Sequence, residues 1–200
     1  MNKNQKSIII EAVKNNRLKE VEALLKQGVA VDVQNEHRQS LLLTATQAGY
    51  FEMAKLLVFY GADVNLQDEQ LDSPFLYAGA SGQTEFVKLF LANGARFDVF
   101  NRYNGTALIP ACESGHLETV KVLTHTSGFP IDHVNRLGWT ALMEAVILGN
   151  GSEKYQQIVT ILVNAGCGTD IADKNGVTPL QHARSLKYDK IAKILESARH

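Results

Sequence analysis

The side chains that could carry chemistry are few and scattered. The six His residues stand at positions 37, 116, 125, 133, 182 and 200 with no His-x-x-x-His spacing, and Cys112 and Cys167 form no Cys-x-x-Cys pair. A metal centre draws its ligands from such spacings; His125 and His133 come nearest to a pair and lack a third ligand. Gly149-Asn150-Gly151-Ser152 has the small residues of a phosphate-cradling loop, but no Lys-Ser/Thr follows and the stretch ends a helical pattern, not a strand. No Gly-x-Ser-x-Gly elbow presents a nucleophile. Carboxylates are plentiful, yet most stand at helix starts and turn ends, where capping accounts for them. The expectation is a chain that is not an enzyme and uses no metal and no cofactor.

Charge and hydropathy narrow the partners. A formal net charge of -1 supplies no global field for nucleic acid or an anionic membrane. Ser7-Ile8-Ile9-Ile10 is interrupted by Glu11, too soon for a signal-peptide core or a membrane span. Both Cys residues adjoin apolar positions, where a small buried thiol is common, and no disulfide framework is present. A cytoplasmic protein with neither nucleic acid nor membrane as partner is expected.

With no reactive constellation, function rests on how the chain is organised. Gly138-Trp139-Thr140-Ala141-Leu142-Met143-Glu144-Ala145 sets the pattern. A Gly opens a turn, a Thr two residues on starts a helix, and Leu142 and Ala145 share one helical face. The Thr/Ser of this frame recurs at 7, 40, 73, 106, 140 and 178, at spacings of 33, 33, 33, 34 and 38. Such a period belongs to solenoids, in which one supersecondary unit stacks on the next. Each unit predicts a first helix of about nine residues, closed by Asn16, Gly49, Gly82, Gly115 or Gly149. Second helices are predicted at 18–26, 51–60, 85–93, 117–126, 155–164 and 189–197, each with a wide apolar stripe. Their polar sides carry Glu52/Lys55, Glu85/Lys88 and Glu118/Lys121, solvated pairs that each add a few tenths of a kcal/mol. A second Gly then opens a short extended stretch, as in Gly61-Ala62-Asp63-Val64-Asn65, that leads into a turn.

These parts resemble the ankyrin repeat family over essentially the whole chain. Asp173-Lys174-Asn175-Gly176-Val177-Thr178-Pro179-Leu180 and Gly61-Ala62-Asp63-Val64-Asn65 match the family frame best. The resemblance implies an all-α repeat solenoid of six ankyrin repeats, at about 1–34 (N-cap), 35–67, 68–100, 101–134, 135–172 and 173–200 (C-cap), forming a single domain over 1–200. Antiparallel helix pairs would be joined by β-hairpin or loop fingers, with fingers and first helices on a concave side. A stand-alone protein of bacterial type is implied.

Departures from the family carry expectations of their own. The His slot holds Ile10, Leu43, Leu76, Ile109, Met143 and Gln181, so apolar packing between first helices must replace polar bracing; His182, one residue past the slot, is not credited with the family role. The turn Gly slot holds Arg38, Leu71 and Asn104 before Gly138 and Gly176 restore it. Leu at a positive φ would be strained, so the finger around Leu71 is expected to depart from the family's turn. Insertions fall at Thr126–Pro130 and in Asn150-Gly151-Ser152-Glu153-Lys154, the latter a tolerated surface loop. The ends read as caps, from a first repeat with no finger before it to the polar Glu196-Ser197-Ala198-Arg199-His200, an expectation of a complete array.

A solenoid offers a preordered surface to another protein. By the family resemblance that surface takes in Glu36, His37, Glu69 and Asp72 over the second and third repeats, then Arg102, Tyr103, Arg136, Leu137 and Trp139. Ile147 and Leu148 back it on the neighbouring first helix. Interfaces concentrate energy in Trp, Tyr and Arg, which makes Arg102, Tyr103, Arg136 and Trp139 the expected hot spot; the competing reading of Trp139 is that it packs over its own finger. The functional expectation is a protein-binding module, scaffold or regulator, acting as a monomer on an unidentified protein partner. The alternative is a structural, self-associating protein that pairs through Ile8 and Ile10.

Overall fold

The computed structural model describes residues 3–198, so Met1, Asn2, and the Arg199 and His200 of the expected polar finish lie outside the described residues. The first helices are α1 (Lys3–Lys14), α3 (Leu41–Gln47), α5 (Pro74–Ala80), α7 (Leu108–Glu113), α9 (Ala141–Ile147) and α11 (Pro179–Ser185). The second helices are α2 (Leu18–Lys26), α4 (Phe51–Phe59), α6 (Thr84–Leu91), α8 (Leu117–Thr124), α10 (Glu153–Asn164) and α12 (Asp189–Ser197). Every second helix agrees with its predicted range to within two residues at either end. The fold is all-helical. Among the described residues no strand forms, and the single isolated bridge joins Gln34 and Ser40. The fingers are loops.

Most first helices are shorter than expected, seven residues in α3, α5, α9 and α11: each starts directly after its marker Ser or Thr, which caps it, and stops two residues before Gly49, Gly82, Gly149 or Lys187. Ser40, Ser73, Thr140 and Thr178 each accept a hydrogen bond from the backbone N–H three residues on, at 3.0 to 3.3 Å. Each marker carbonyl also accepts the N–H four residues on, from Thr44, Tyr77, Glu144 and His182. Two markers depart from this. Ser7 lies inside α1, which starts at Lys3. Thr106 is followed four residues later by Pro110, which has no N–H to give; α7 accordingly starts one residue late, with Ala107 at the cap position, and the buried Thr106 Oγ1 has no partner.

The described residues form two compact units, one of the chain up to Ala78 with Glu85–Arg96, the other of Gly79–Thr84 with the chain from Phe97 onward. In the first, α1 packs on α2 and α3, and α4 on α2 and α3. Ile9, Val13, Val21, Leu43, Met53 and Leu57 are fully buried there, and Phe86 meets Phe51 and Phe90 edge-on with ring centroids 5.1 and 6.0 Å apart. In the second, α9 packs on α7, α10 and α11, while α10 also packs on α8 and α12. Leu108, Leu123, Leu142, Met143, Ile158, Leu162, Ile191 and Leu195 fill that core. In each unit, first helices stack on first helices and second on second. Each buried Leu, Ile or Met adds roughly 1.5–3 kcal/mol of transfer free energy.

The slot that resemblance reserves for His is apolar and buried at Leu43, Leu76, Ile109 and Met143. It is only half-buried at Ile10, and Gln181 is exposed, where it completes a capping box with Thr178. The second insertion is less of a loop than expected. Glu153 and Lys154 extend α10 by part of a turn, leaving Asn150–Ser152 as the connection. Gly149 is buried and does not take the left-handed conformation of the other helix-closing residues; a Cβ there would lie 2.2 Å from the Ala145 carbonyl and 2.6 Å from Tyr155. Tyr188 packs over Gly151 and donates its hydroxyl to the Gly149 carbonyl at 3.1 Å, so the connection is pinned from two sides.

Candidate functional site

Five finger turns share one construction. Asn35, Asp68, Asn101, Asn135 and Asp173 each open a turn by accepting, on one side-chain oxygen, the N–H groups two and four residues on. Their own N–H donates to the carbonyl four residues on, and their carbonyl accepts the N–H three residues on. The residue at that third position has positive φ in every case: Arg38 58°, Leu71 59°, Asn104 57°, Gly138 88° and Gly176 75°. The finger around Leu71 therefore keeps the common turn, against the sequence expectation. Four hydrogen bonds hold it, and Gln67 Nε2 adds a fifth to the Leu71 carbonyl at 2.7 Å; together they outweigh a left-handed penalty of about 1–2 kcal/mol.

In the second unit the tips of neighbouring turns are tied together. The Arg136 N–H donates to the Tyr103 carbonyl at 2.8 Å, Arg136 Nη1 donates to the Arg102 carbonyl at 3.0 Å, and the Lys174 ammonium donates to the Arg136 carbonyl. The Arg102 guanidinium lies 5.1 Å from the Tyr103 ring centroid. Tyr103 and Leu137 are 53% and 49% exposed, and the Lys174 stem runs over Gly138, where a Cβ would meet it at 2.7 Å. Arg102, Tyr103, Arg136 and Leu137 thus form one cationic and apolar rim, with Lys174 as a member. Trp139 is half-buried at the base of its turn; Ile147 ends α9 half-buried and Leu148 follows it exposed.

In the first unit the acidic positions gather separately. The Glu69 N–H donates to the His37 carbonyl at 3.3 Å, and the His37 ring lies 3.7 Å from the Glu69 carboxylate and 3.9 Å from that of Glu36. All three side chains are exposed, and Asp72 is half-buried at the close of its turn.

Several other polar groups brace the fingers. His182 Nε2 donates to Asp173 at 2.8 Å, and the bond from the Val177 N–H, followed by that from His182, holds the Asp173 carboxyl below its ordinary range. The same nine-residue span joins Asn135 Nδ2 to Glu144 Oε1 at 2.7 Å, a pairing the sequence reading missed. Glu144 is 4% exposed, with Oε2 buried and unpartnered. Burial, then the charge of Glu113, raise its carboxyl to about 7 against the Asn135 hydrogen bond. His133 stacks on Phe100 with centroids 4.4 Å apart and donates to the Asn104 carbonyl at 2.6 Å, while His125 donates to the Lys121 carbonyl. Both thiols are buried and raised, Cys167 to about 12.

Residues 1–68, 69–133 and 127–199 each match the family model described as ankyrin repeats. A solved ankyrin repeat domain from Acinetobacter baumannii AYE is 46% identical, with a TM-score of 0.93 over 95% of this chain and 96% of its own. A second solved ankyrin repeat protein, EF0377, is 39% identical, with a TM-score of 0.91 over 94% of this chain and 96% of its own. Among curated proteins, YahD of Escherichia coli (strain K12), named for its ankyrin repeats, is 38% identical over 78 residues; the chain spans 38% of that relative's length.

Proposed function

Because the chain belongs to the ankyrin repeat family, whose repeats generally serve as protein–protein interaction modules, we propose that it binds a partner protein through its finger tips and the exposed ends of its first helices. The principal surface is the rim of Arg102, Tyr103, Arg136 and Leu137, with Trp139, Ile147 and Leu148 behind it. A smaller patch at Glu36, His37, Glu69 and Asp72 is a separate acidic contact. The protein acts as a scaffold or regulator without catalysis.

One observation supports this reading above the others. Exposed Tyr103 and Leu137 stand on turns that each carry four internal hydrogen bonds and are tied to one another by the Arg136 N–H. Large side chains held on ordered backbone lose little entropy when they dock. Tyr103→Ala with Trp139→Ala is expected to weaken partner capture by a few kcal/mol without unfolding the array, as circular dichroism reports. Capture from native lysate by wild type and double variant, side by side, measures this; equal capture removes the hot spot.

A further inference from the structure

We propose that the finger rim of the second unit receives an extended acidic peptide segment of its partner, with an apolar side chain of that segment seated on Tyr103 and Leu137. This rests on the binding reading above and names the chemistry of the occupant.

Two cations of the rim, Arg136 and Lys174, differ from the paired lysines of the second helices. Along the second helices Lys55, Lys88 and Lys121 each meet a Glu at 2.7 Å, which neutralises them locally. Arg136 and Lys174 are exposed and, among the described residues, meet no carboxylate; their hydrogen bonds go to the carbonyls of Arg102 and Arg136. Those bonds fix where the two cations stand without cancelling their charge. Of the carboxylates near them in sequence, Asp173 takes the N–H groups of Asn175 and Val177 together with His182, Glu144 is buried against Asn135, and the exposed Asp132 accepts the Gly168 N–H; none of these meets Arg136 or Lys174 in an ion pair. Arg136 and Lys174 therefore place two positive charges side by side on a chain whose net charge is -1.

Carboxylates complement this arrangement. Arg offers a planar fork that a carboxylate can meet bidentately, and Lys a compact point charge beside it. The exposed Tyr103 ring and Leu137, on the same two turns as Arg102 and Arg136, supply apolar area that a purely anionic ligand would leave uncovered. A peptide that alternates Asp or Glu with a bulky apolar residue satisfies both. Nucleic acid fits less well, since a handful of cations on a near-neutral chain neutralises few phosphates.

The test pans a display library of random short peptides on the wild type and on an Arg136→Glu/Lys174→Glu variant, with Arg136→Gln/Lys174→Gln as the milder pair should charge reversal disturb folding; circular dichroism reports the fold of each. Selected peptides are then titrated by fluorescence anisotropy. The wild type is expected to enrich Asp and Glu flanking an apolar residue, and the charge-reversed variant to bind those peptides on the order of tenfold or more weakly, with affinity falling as salt rises. Neutral or basic consensus sequences that still need Tyr103 and Trp139 would overturn the acidic occupant and leave the finger surface standing. Peptides indifferent to both pairs of substitutions would overturn both readings. Oligothymidylate that displaces the acidic peptide at equal concentration would make phosphate the ligand, and self-association abolished by charge reversal would make a second copy the occupant; either result overturns the proposal.

Discussion

Leu71 holds a left-handed backbone at φ 59°, and Glu144 holds a carboxyl in the core at 4% exposure. At Leu71 the pattern showed a non-glycine in a slot that needs positive φ and inferred a different turn. The turn is set instead by Asp68, four hydrogen bonds from which make the left-handed residue affordable. Asn and Asp recur at 35, 68, 101, 135 and 173 with the same spacing as the rest of the frame, so the signal was available in the sequence. Leu71→Asn, the residue that position 104 uses at φ 57°, is expected to raise the urea midpoint by the equivalent of about 0.5–1 kcal/mol. A lower midpoint would mean that no strain resides there. Glu144 was not legible because the equivalent positions, Thr44, Tyr77, Pro110 and His182, are only half-buried. Its carboxyl sits at about 7 in the folded chain against an ordinary 4.5. Below the ordinary value both states hold the proton. As pH rises from there through about 7 the unfolded chain ionises and the folded one resists, so stability falls by about 3 kcal/mol in all. Glu144→Gln should flatten that fall, leaving the variant on the order of 1–3 kcal/mol more stable than wild type at about pH 8 and close to it at about pH 4. Urea melts at the two pH values measure the difference.

Among the elements, the second helices were read almost to the residue, since an apolar stripe and a closing Gly set both limits. Most first helices are shorter than the pattern predicts because each stops two residues before the position that closes it. The five capping sites outside α1 give a direct contrast. Thr140 accepts the Met143 N–H on its hydroxyl and caps α9; Thr106 is equally buried but its hydroxyl has no partner, and Pro110 leaves its carbonyl no N–H four residues on. Thr140→Ala is expected to cost about 1 kcal/mol, whereas Thr106→Ala should be neutral or slightly stabilising, as removal of an unsatisfied buried hydroxyl. Thermal melts of the two variants decide this, and equal losses would show that Thr106 caps after all. The connection at Gly149 was legible as an insertion but not in its anchoring, which depends on Tyr155 and Tyr188 arriving from later elements.

For the whole molecule, length, period and Gly punctuation carried the family and the all-helical fold. They did not carry the distribution of exposed side chains. Ile8 and Ile10, the pair considered for self-association, are unequal, Ile8 exposed and Ile10 half-buried, with Ile9 between them fully buried. Phe59, which the pattern did not single out, is 82% exposed against Tyr60. If the protein is a monomer, light scattering gives one mass at all concentrations for wild type and Phe59→Ser alike, and the substitution shifts stability by less than about 0.5 kcal/mol. A mass that grows with concentration and collapses on Phe59→Ser would establish self-association through that ring. The shared finger turn has a longer reach than any of these positions. Its geometry is written into one Asn or Asp at the start, so side chains further out can be exchanged, Arg for Leu for Asn, without rebuilding the backbone that presents them. Specificity can drift under selection, or be shuffled by an engineer, on a chassis that stays the same.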